Sequence, residues 1–418
     1  MSRPFSFPRH FKMLKKLQNI FHRYPKQFWL LFFGMFIAMT AGTMIWPLML
    51  VYVSKRLSMP LAQGASLITI NAIVGVAFTF LAGPFTDKFG RKWIMVFGLA
   101  INAIGYIFLI WADSYAYFAI LMVVTGFSNP LFRVGADAML TDIIPEKQRL
   151  DAFALTRMAK NVGVSMGPAI GGILAGISYN ISYISAASGM LIFGFLVIFF
   201  AKETLPAKIE KTPAIVVSSQ PKGYLEMLKD KEFVTMILFY SFGWIMVAII
   251  WLLLPVYANQ EFGIRESQYG LIPAANGLMV IFFQLAVTKR TKRFRPLTMI
   301  TVGMFLYAIG TGSVAFSTGF WGFILSIVIV TIGELIIVPT SSAYVANRAH
   351  PEMRGRYMGI YNLTWSFARG VGPVMGGWLS DSFGPVSIWY GGFIVGAIST
   401  IGLLFLARQS SRKSSIPL

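Results

Sequence analysis

The sequence predicts an all-α membrane protein in which twelve transmembrane helices form two six-helix bundles related by a pseudo-twofold axis. Three observations support this fold class. Apolar runs of about twenty residues, enough to cross a hydrocarbon core about 30 Å thick, recur along all 418 residues. Lys and Arg concentrate in alternate loops between these runs. The second half of the chain also repeats the pattern of the first half at a constant spacing.

The composition favours lipid as the solvent of this chain. Its residues are 56% hydrophobic and 12% charged, whereas soluble domains carry roughly a quarter charged residues. Six spans are expected in the first half, at residues 28–53, 61–86, 93–112, 115–141, 152–177 and 181–201. Six more are expected in the second half, at residues 233–258, 269–287, 297–317, 321–346, 357–379 and 386–407.

The segments outside the spans complete the domain organisation. Residues 1–26 are basic and place apolar side chains at roughly helical spacing, which predicts an amphipathic cytoplasmic N-terminus. Residues 202–231 are polar and rich in proline, which predicts a cytoplasmic linker that ends in a short lead-in helix. The N-terminal bundle then comprises residues 27–201 and the C-terminal bundle residues 232–408, followed by a cytoplasmic tail at 409–418.

The basic residues indicate topology. Lys and Arg total 36 against 16 Asp and Glu, a net charge of +20 that could suggest nucleic-acid binding. Nearly all of them lie in alternate loops, however, and the remaining loops hold little beyond Lys55, Arg56 and Arg265. Because cytoplasmic loops are enriched in Lys and Arg, both termini are expected in the cytoplasm, and no nucleic-acid partner is expected.

The two halves align with a constant offset of 205 positions and no gap over five spans. Matched pairs include Asn71 with Asn276, Gly98 with Gly303, Arg149 with Arg354, and Gly167-Pro168 with Gly372-Pro373. A parallel repeat of this kind implies a pseudo-twofold axis along the membrane normal and a central site between the halves.

The residue types that serve most enzymes are scarce. The chain has no cysteine, which excludes a disulfide, a thiolate metal site and a thiol nucleophile. Its three histidines, His10, His22 and His350, lie in polar segments and form no metal-ligand pattern. We therefore expect neither an enzyme nor a cofactor.

The loop after the second span is rich in glycine and charge. A glycine turn lets two helices approach closely, and Asp87 and Arg91 can make charge-assisted contacts with helix ends. This stretch contains Gly83, Asp87, Gly90, Arg91 and Lys92. The stretch resembles the loop signature of the major facilitator superfamily, G-x-x-x-D-(R/K)-x-G-R-(R/K). This resemblance implies a conformational latch that includes Asp142; a solvated turn that only sets topology is the alternative.

The fifth span contains a second glycine pattern. Small residues four apart allow tight helix packing, and a proline bends the helix. The pattern comprises Gly163, Gly167, Pro168, Gly171 and Gly172. It resembles the antiporter motif of the same superfamily, which implies export and a hinge between the halves. Plain close packing is the alternative, because Gly372 to Gly377 repeats the Gly-Pro core in the eleventh span.

The resemblance covers nearly the whole chain and is nearest to the twelve-helix bacterial drug/proton antiporters. It implies the major facilitator fold, a bacterial inner-membrane location and a monomer. Two departures are visible. Met122 stands where that subgroup often carries an arginine, and Lys292 replaces the Asp of the loop signature in the second half.

Glu334 is the outstanding ionisable residue, about thirteen residues from the polar end of its span at Asn347. A charge at a helix centre costs roughly 2.5 to 3.5 kcal/mol on insertion scales, so such a residue is a functional candidate. We expect Glu334 to exchange a proton or to face a cationic substrate. The alternative is a protonated Glu that is hydrogen-bonded to a neighbouring helix.

Arg133 and Asp137 lie one turn apart in the fourth span and can pair. Asp137 is therefore a second candidate for proton coupling or, alternatively, half of a structural ion pair. Arg369, Arg157 and Lys160 are expected near the cytoplasmic helix ends, where long basic side chains snorkel.

By family analogy, the first, fourth, seventh and tenth spans line a substrate cavity. The candidate lining residues are Asn129, Arg133, Tyr240, Trp244 and Glu334, with Trp46 and Trp251 nearer the helix ends. Aromatic side chains suit a permissive apolar pocket, and they suit lipid contact equally well.

These observations together predict a secondary transporter that exports small amphipathic or cationic organic molecules in exchange for protons. A symporter or uniporter of a small nutrient or metabolite is the alternative, and a non-transporting sensor or scaffold is a more remote one. The expected partners are the small-molecule substrate, protons and membrane lipids.

Overall fold

The computed structural model describes residues 21–205, 227, 229–349 and 353–413, and all regular structure in these ranges is helical. The helices of the first half are α1 (Lys26–Ile45), α2 (Met49–Leu57), α3 (Leu61–Phe89), α4 (Arg91–Phe108), α5 (Tyr115–Ile143), α6 (Glu146–Ile177) and α7 (Tyr179–Phe200). Those of the second half are α8 (Lys231–Phe262), α9 (Glu266–Tyr269), α10 (Leu271–Thr291), α11 (Pro296–Ser313), α12 (Phe320–Arg348), α13 (Arg354–Phe383) and α14 (Ser387–Lys413).

Ten spans in the described ranges are long and apolar enough to cross a membrane. The pairs α1–α2 and α9–α10 each count as one of these spans. The remaining two long helices, α6 and α13, carry more polar and charged residues and do not meet the same apolar criterion. By length and composition, the prediction of spans is thus confirmed for ten spans, and for α6 and α13 it stays a prediction.

The helix boundaries repeat with the offset seen in the sequence. Arg91–Phe108 and Pro296–Ser313 begin 205 positions apart and have the same length of 18 residues. Tyr115–Ile143 and Phe320–Arg348 show the same offset, and both have 29 residues. In these two pairs of helices, the internal repeat therefore extends to the residues at which the helices begin and end.

Apolar side chains fill both halves and also cover the outside. Phe28 and Met35 are fully buried in the first half, as are Tyr240 and Trp389 in the second. Large apolar groups are nevertheless exposed on the surface, and Leu285 reaches 83% exposure. Such a surface is stable in lipid, where backbone groups are satisfied within the helices.

Both bundles have a terminal side, where α1 begins and α14 ends, and a far side, where α2 ends at Leu57 and α8 ends at Phe262. The last helix continues to Lys413, so the predicted tail at 409–418 is helical at its start. Most of the predicted N-terminus (1–26) and of the predicted linker (202–231) lies outside the described residues.

Candidate functional site

A central cavity of about 620 Å³ lies between the two halves. Sites of roughly 300–1,000 Å³ typically hold drug-sized ligands. The walls include Trp46, Arg157 and Pro168 from the first half and Trp244, Trp251, Asn276, Glu334 and Trp365 from the second half. Trp46 is placed there by a short 3-10 turn, Trp46–Leu48, which interrupts the first span at Pro47.

Glu334 faces this cavity from the middle of α12. The amide nitrogen of Asn276 donates a hydrogen bond of 2.8 Å to its carboxylate, and the same amide donates to Thr331 Oγ1 at 3.0 Å. The hydroxyl of Tyr307 lies close to the carboxyl as well. Within the described part of the chain, no Lys or Arg pairs with Glu334. Its surroundings are thus polar but neutral.

Close helix packing places Tyr307 beside Glu334. A Cβ atom added at Gly333 would lie 2.6 Å from the carbonyl oxygen of Gly303 and 3.1 Å from the amide nitrogen of Tyr307. Only glycine at position 333 allows α12 to approach α11 this closely.

Aromatic side chains build one wall of the cavity. Trp244 and Trp365 meet edge to face with ring centroids 5.0 Å apart. Tyr240, a predicted lining residue, is fully buried behind this wall and donates to or accepts from Ser341 at 2.8 Å and Tyr361 at 3.0 Å. Tyr361 and Trp365 line the cavity in its place. The wall is therefore fixed by packing and by hydrogen bonds.

Arg369 differs from its expected position near a cytoplasmic helix end. It lies near the middle of α13, is partly buried, and holds its guanidinium carbon 4.8 Å from the ring centroid of Trp46. Arg157, which was expected to snorkel as well, lines the cavity. The expectation was wrong because α6 and α13 continue well beyond these residues, so neither arginine is at a helix end.

Asp137 does not pair with Arg133 as expected. Its carboxylate accepts a hydrogen bond of 3.0 Å from Lys160 of α6, and this ion pair joins α5 to α6. Lys160 was expected to snorkel, but a neighbouring helix supplies its partner. Asn129 and Arg133 are exposed on α5 and are not among the residues that line the central cavity.

The repeat makes Asn129 the counterpart of Glu334, since the two positions are 205 apart. Asn71, the counterpart of Asn276, donates to the carbonyl oxygen of Met122 at 3.1 Å and to Thr125 at 3.0 Å. The amide is thus retained in both halves, whereas the acid is present only in the second.

The glycine- and charge-rich stretch, predicted as a loop, is mostly helical: Gly83 and Asp87 lie in α3, Arg91 and Lys92 begin α4, and only Gly90 separates the two helices. Its charged groups form a cluster on the terminal side. Arg91 contacts Asp87 at 3.2 Å and Asp142 at 3.1 Å, as the resemblance implied. Gly90 has a φ of +93° at the junction of α3 and α4, a conformation that favours glycine. The carboxylate of Glu203 accepts hydrogen bonds from the backbone of Arg91 at 2.9 Å and Lys92 at 3.1 Å.

The glycines of the fifth span face two partners. A Cβ at Gly163 would lie 2.8 Å from the Phe36 carbonyl oxygen, and one at Gly167 would lie 2.7 Å from that of Thr40. These glycines and Gly171 pack α6 on α1. Gly172 instead packs on Glu266 and Gly270 of the second half. The motif therefore lies at an interface within one half and at an interface between the halves.

Several polar contacts between the halves lie on the far side. Lys55 forms an ion pair with Glu266, and the hydroxyl of Tyr179 donates to the same carboxylate at 2.6 Å. The carboxylate of Asp381 accepts the backbone N–H groups of Leu61 at 3.0 Å and of Ala62 at 2.9 Å. On the terminal side, the ion pairs among the described residues each join groups of a single half.

Sequence reasoning missed the contributions of α6 and α13 to the cavity. The signal in α13 is a stripe at helical spacing, in which the lining residues Met358, Tyr361, Asn362 and Trp365 are followed by Arg369, so that polar and aromatic groups share one helix face. Glu203 was also missed, because it follows the last span of the first half and read as part of the linker.

Comparisons with known proteins agree on one family. The model of the Major Facilitator Superfamily matches residues 31–373 and 245–417. The chain is 27% identical over 388 residues to a Na(+), Li(+), K(+)/H(+) antiporter of Planococcus maritimus, covering 86% of this chain and 88% of the antiporter. It is 24% identical over 363 residues to the quinolone resistance protein NorA of Staphylococcus aureus, covering 85% and 90% of the two chains.

The fold matches solved structures as well. A crystal structure of a POT family transporter in complex with 5-aminolevulinic acid superposes with a TM-score of 0.76 at 16% identity, covering 92% of this chain and 96% of the other. At this identity, the likeness concerns the fold alone.

Proposed function

The chain belongs to the major facilitator superfamily, and from this premise we propose that it exports small amphipathic or cationic organic compounds in exchange for protons. It is a multi-pass membrane transport protein, not an enzyme. We place it in the bacterial inner membrane with both termini in the cytoplasm, because Lys and Arg concentrate in the loops of the terminal side.

One observation carries the proposal. The Glu334 carboxyl faces a cavity between the halves, and its hydrogen-bond partner Asn276 is neutral. A carboxylate held by an ion pair must first break that pair, whereas a carboxylate with neutral partners is available to a proton or to a cation. Glu334 can therefore alternate between these two occupants.

Competition at one carboxylate leads directly to exchange. Protonated Glu334 has no charge to attract a cationic substrate, and a bound cation excludes the proton. In one half of the transport cycle, the protein carries the substrate outward. In the other half, it carries a proton inward. The aromatic wall formed by Trp244 and Trp365 suits the apolar part of an organic substrate better than a bare inorganic ion, which prefers oxygen ligands.

The contacts between the halves support alternating access. On the far side, Lys55–Glu266 and the contacts of Asp381 join the two halves, and the described ion pairs of the terminal side do not cross between the halves. We assign this arrangement to the state that is open to the cytoplasm. In the other state, the loop cluster of Asp87, Arg91 and Asp142 would act as the latch on the terminal side.

Asp137 takes a secondary place in this scheme. Its ion pair with Lys160 must open before it can accept a proton. Its loss should therefore slow transport less than the loss of Glu334, while weakening the contact between α5 and α6.

The decisive experiment uses purified protein in proteoliposomes with an imposed pH gradient. Quinolones and lipophilic cations such as ethidium are suitable first compounds. Wild-type protein should move a compound against its gradient only while the proton gradient lasts. Glu334→Gln should lower this coupled flux at least about tenfold, since the amide cannot exchange a proton.

Glu261→Gln is the matched control, because Glu261 is an exposed acid at the far end of α8, outside the cavity. It should retain wild-type flux. Undiminished gradient-driven flux in Glu334→Gln would remove Glu334 from the mechanism. Accumulation of the compound together with protons would indicate symport in place of exchange.

A further inference from the structure

The cavity-lining face of α13 continues to a basic residue. Met358, Tyr361, Asn362 and Trp365 of this helix line the cavity. Arg369 follows Trp365 by one turn and therefore lies on the same helix face. Its guanidinium is stacked on Trp46, which is itself a lining residue from the other half. Arg369 thus lies one turn beyond the lining residues of α13, beside a lining residue of the first half.

This arginine has no anionic partner in the described part of the chain. No ion pair or side-chain hydrogen bond joins it to another described residue, and its guanidinium lies over the ring of Trp46. Arg133 of α5 is near enough for the two positive charges to repel each other, and the neutral hydroxyl of Tyr106 is the other polar group nearby. A cation held in a membrane-embedded helix normally pairs with an acid. Here the local charge is an uncompensated positive one.

Stacking on Trp46 leaves the edges of the guanidinium free. A guanidinium carries five N–H donors in its plane, and a contact with the face of an aromatic ring uses none of them. A planar carboxylate matches two of these donors with two parallel hydrogen bonds. The geometry around Arg369 therefore fits an anion that arrives in the cavity.

We propose that Arg369, backed by Trp46, is an anion-binding subsite and that the preferred substrates are aromatic zwitterions. The substrate's carboxylate would bind Arg369, its amine would bind Glu334, and its ring system would lie among the tryptophans between them. This inference rests on the proposed function, since it assigns a second subsite to the same cavity. With this subsite, the cavity would bind a zwitterion more tightly than a simple cation of equal size.

Binding of a matched pair of compounds tests the subsite. A zwitterionic quinolone and its methyl ester differ in the carboxylate and share the ring system and the cationic amine. We would measure both affinities by isothermal titration calorimetry with the full chain in lipid nanodiscs. Wild-type protein should bind the zwitterion about tenfold more tightly than the ester, as expected for one added charge-assisted contact.

Three variants assign that preference to Arg369. Arg369→Met should abolish it while changing the affinity for the ester less than about twofold. Arg369→Lys keeps the charge and should keep part of the preference, which covers the case in which Arg369→Met fails to fold. Arg295→Gln removes an exposed charge at the start of α11, remote from the cavity, and should bind like wild type.

Two results would overturn the inference. An unchanged preference in Arg369→Met would place the anion elsewhere, and equal wild-type affinities for both compounds would mean that no anion subsite exists. In the latter case, ester efflux that still depends on Glu334 would leave the proposed function intact. Failure of both compounds to bind would contradict both proposals.

Discussion

Lys55 of the first half and Glu266 of the second half form an ion pair across the far side of the cavity, and Tyr179 hydrogen-bonds to the same carboxylate. Glu266 is largely buried there, although it stands at the first turn of the short helix α9. One side chain of the second half is thus held by two side chains of the first.

Glu266→Gln should weaken this closure and increase the time that the cavity is open to the outside. The wild-type chain has no cysteine, so Ser342→Cys, a lining position, provides a single reporter. Labelling of this cysteine in intact cells by a membrane-impermeant maleimide should rise several-fold in the Glu266→Gln background. Glu261→Gln should leave the labelling rate unchanged. Equal labelling in all three backgrounds would show that the ion pair does not hold the far side closed.

Glu203→Ala should destabilise the first half. The Glu203 carboxylate accepts the N–H groups of Arg91 and Lys92 at the start of α4, and loss of such a helix cap costs about 1 kcal/mol. Thermal unfolding of the purified protein should begin about 2 to 4 °C lower. Glu146→Ala removes an exposed acid from the first turn of α6 and serves as the control. A larger effect of Glu146→Ala would contradict the capping role.

Asp230 should make stability depend on pH. Burial opposes its charge, but hydrogen bonds from Arg348 and from the Phe233 amide outweigh burial and hold the pKa of this carboxyl below its ordinary value. A lowered pKa means that the ionised carboxylate stabilises the folded state above its unfolded pKa of about 3.9. That stabilisation is lost as the pH falls through the folded pKa.

Asp230→Asn should therefore lower the melting temperature at pH 7, and the difference from wild type should shrink below about pH 4. Melting curves between pH 7 and pH 3 measure this. Because the carboxyl is partly exposed, the shift should amount to only a few degrees. A constant difference across the whole range would mean that the charge of Asp230 is not responsible.

Much of the fold could be predicted from local sequence, because helices in lipid follow apolar runs. The start of α3 at Leu61 and of α5 at Tyr115 coincides with the predicted spans. Glu334 could be singled out for the same reason, since a carboxyl in an apolar run is conspicuous without any knowledge of its neighbours.

The partners of charged residues could not be predicted in this way. Asp137 has Arg133 one turn away, yet Lys160 of α6 binds it, because the crossing of two helices decides which cation is nearer. Arg369 read as a helix-end residue, although the predicted span 357–379 already placed it near the middle of its helix; its neighbour Trp46 belongs to a helix of the other half. Whether an aromatic residue such as Tyr240 or Tyr361 lines a cavity depends on helix rotation, which sequence spacing leaves undetermined.

The polarity of α6 and α13 has a consequence for the biogenesis of the protein. Both helices carry cationic side chains, Arg157 and Lys160 in α6 and Arg369 in α13, which make independent partitioning from the translocon into lipid unfavourable. These two segments should integrate only once neighbours that bury their polar faces are already in the bilayer. The cationic residues of α6 and α13 thereby make assembly of the protein depend on the order in which its helices enter the membrane.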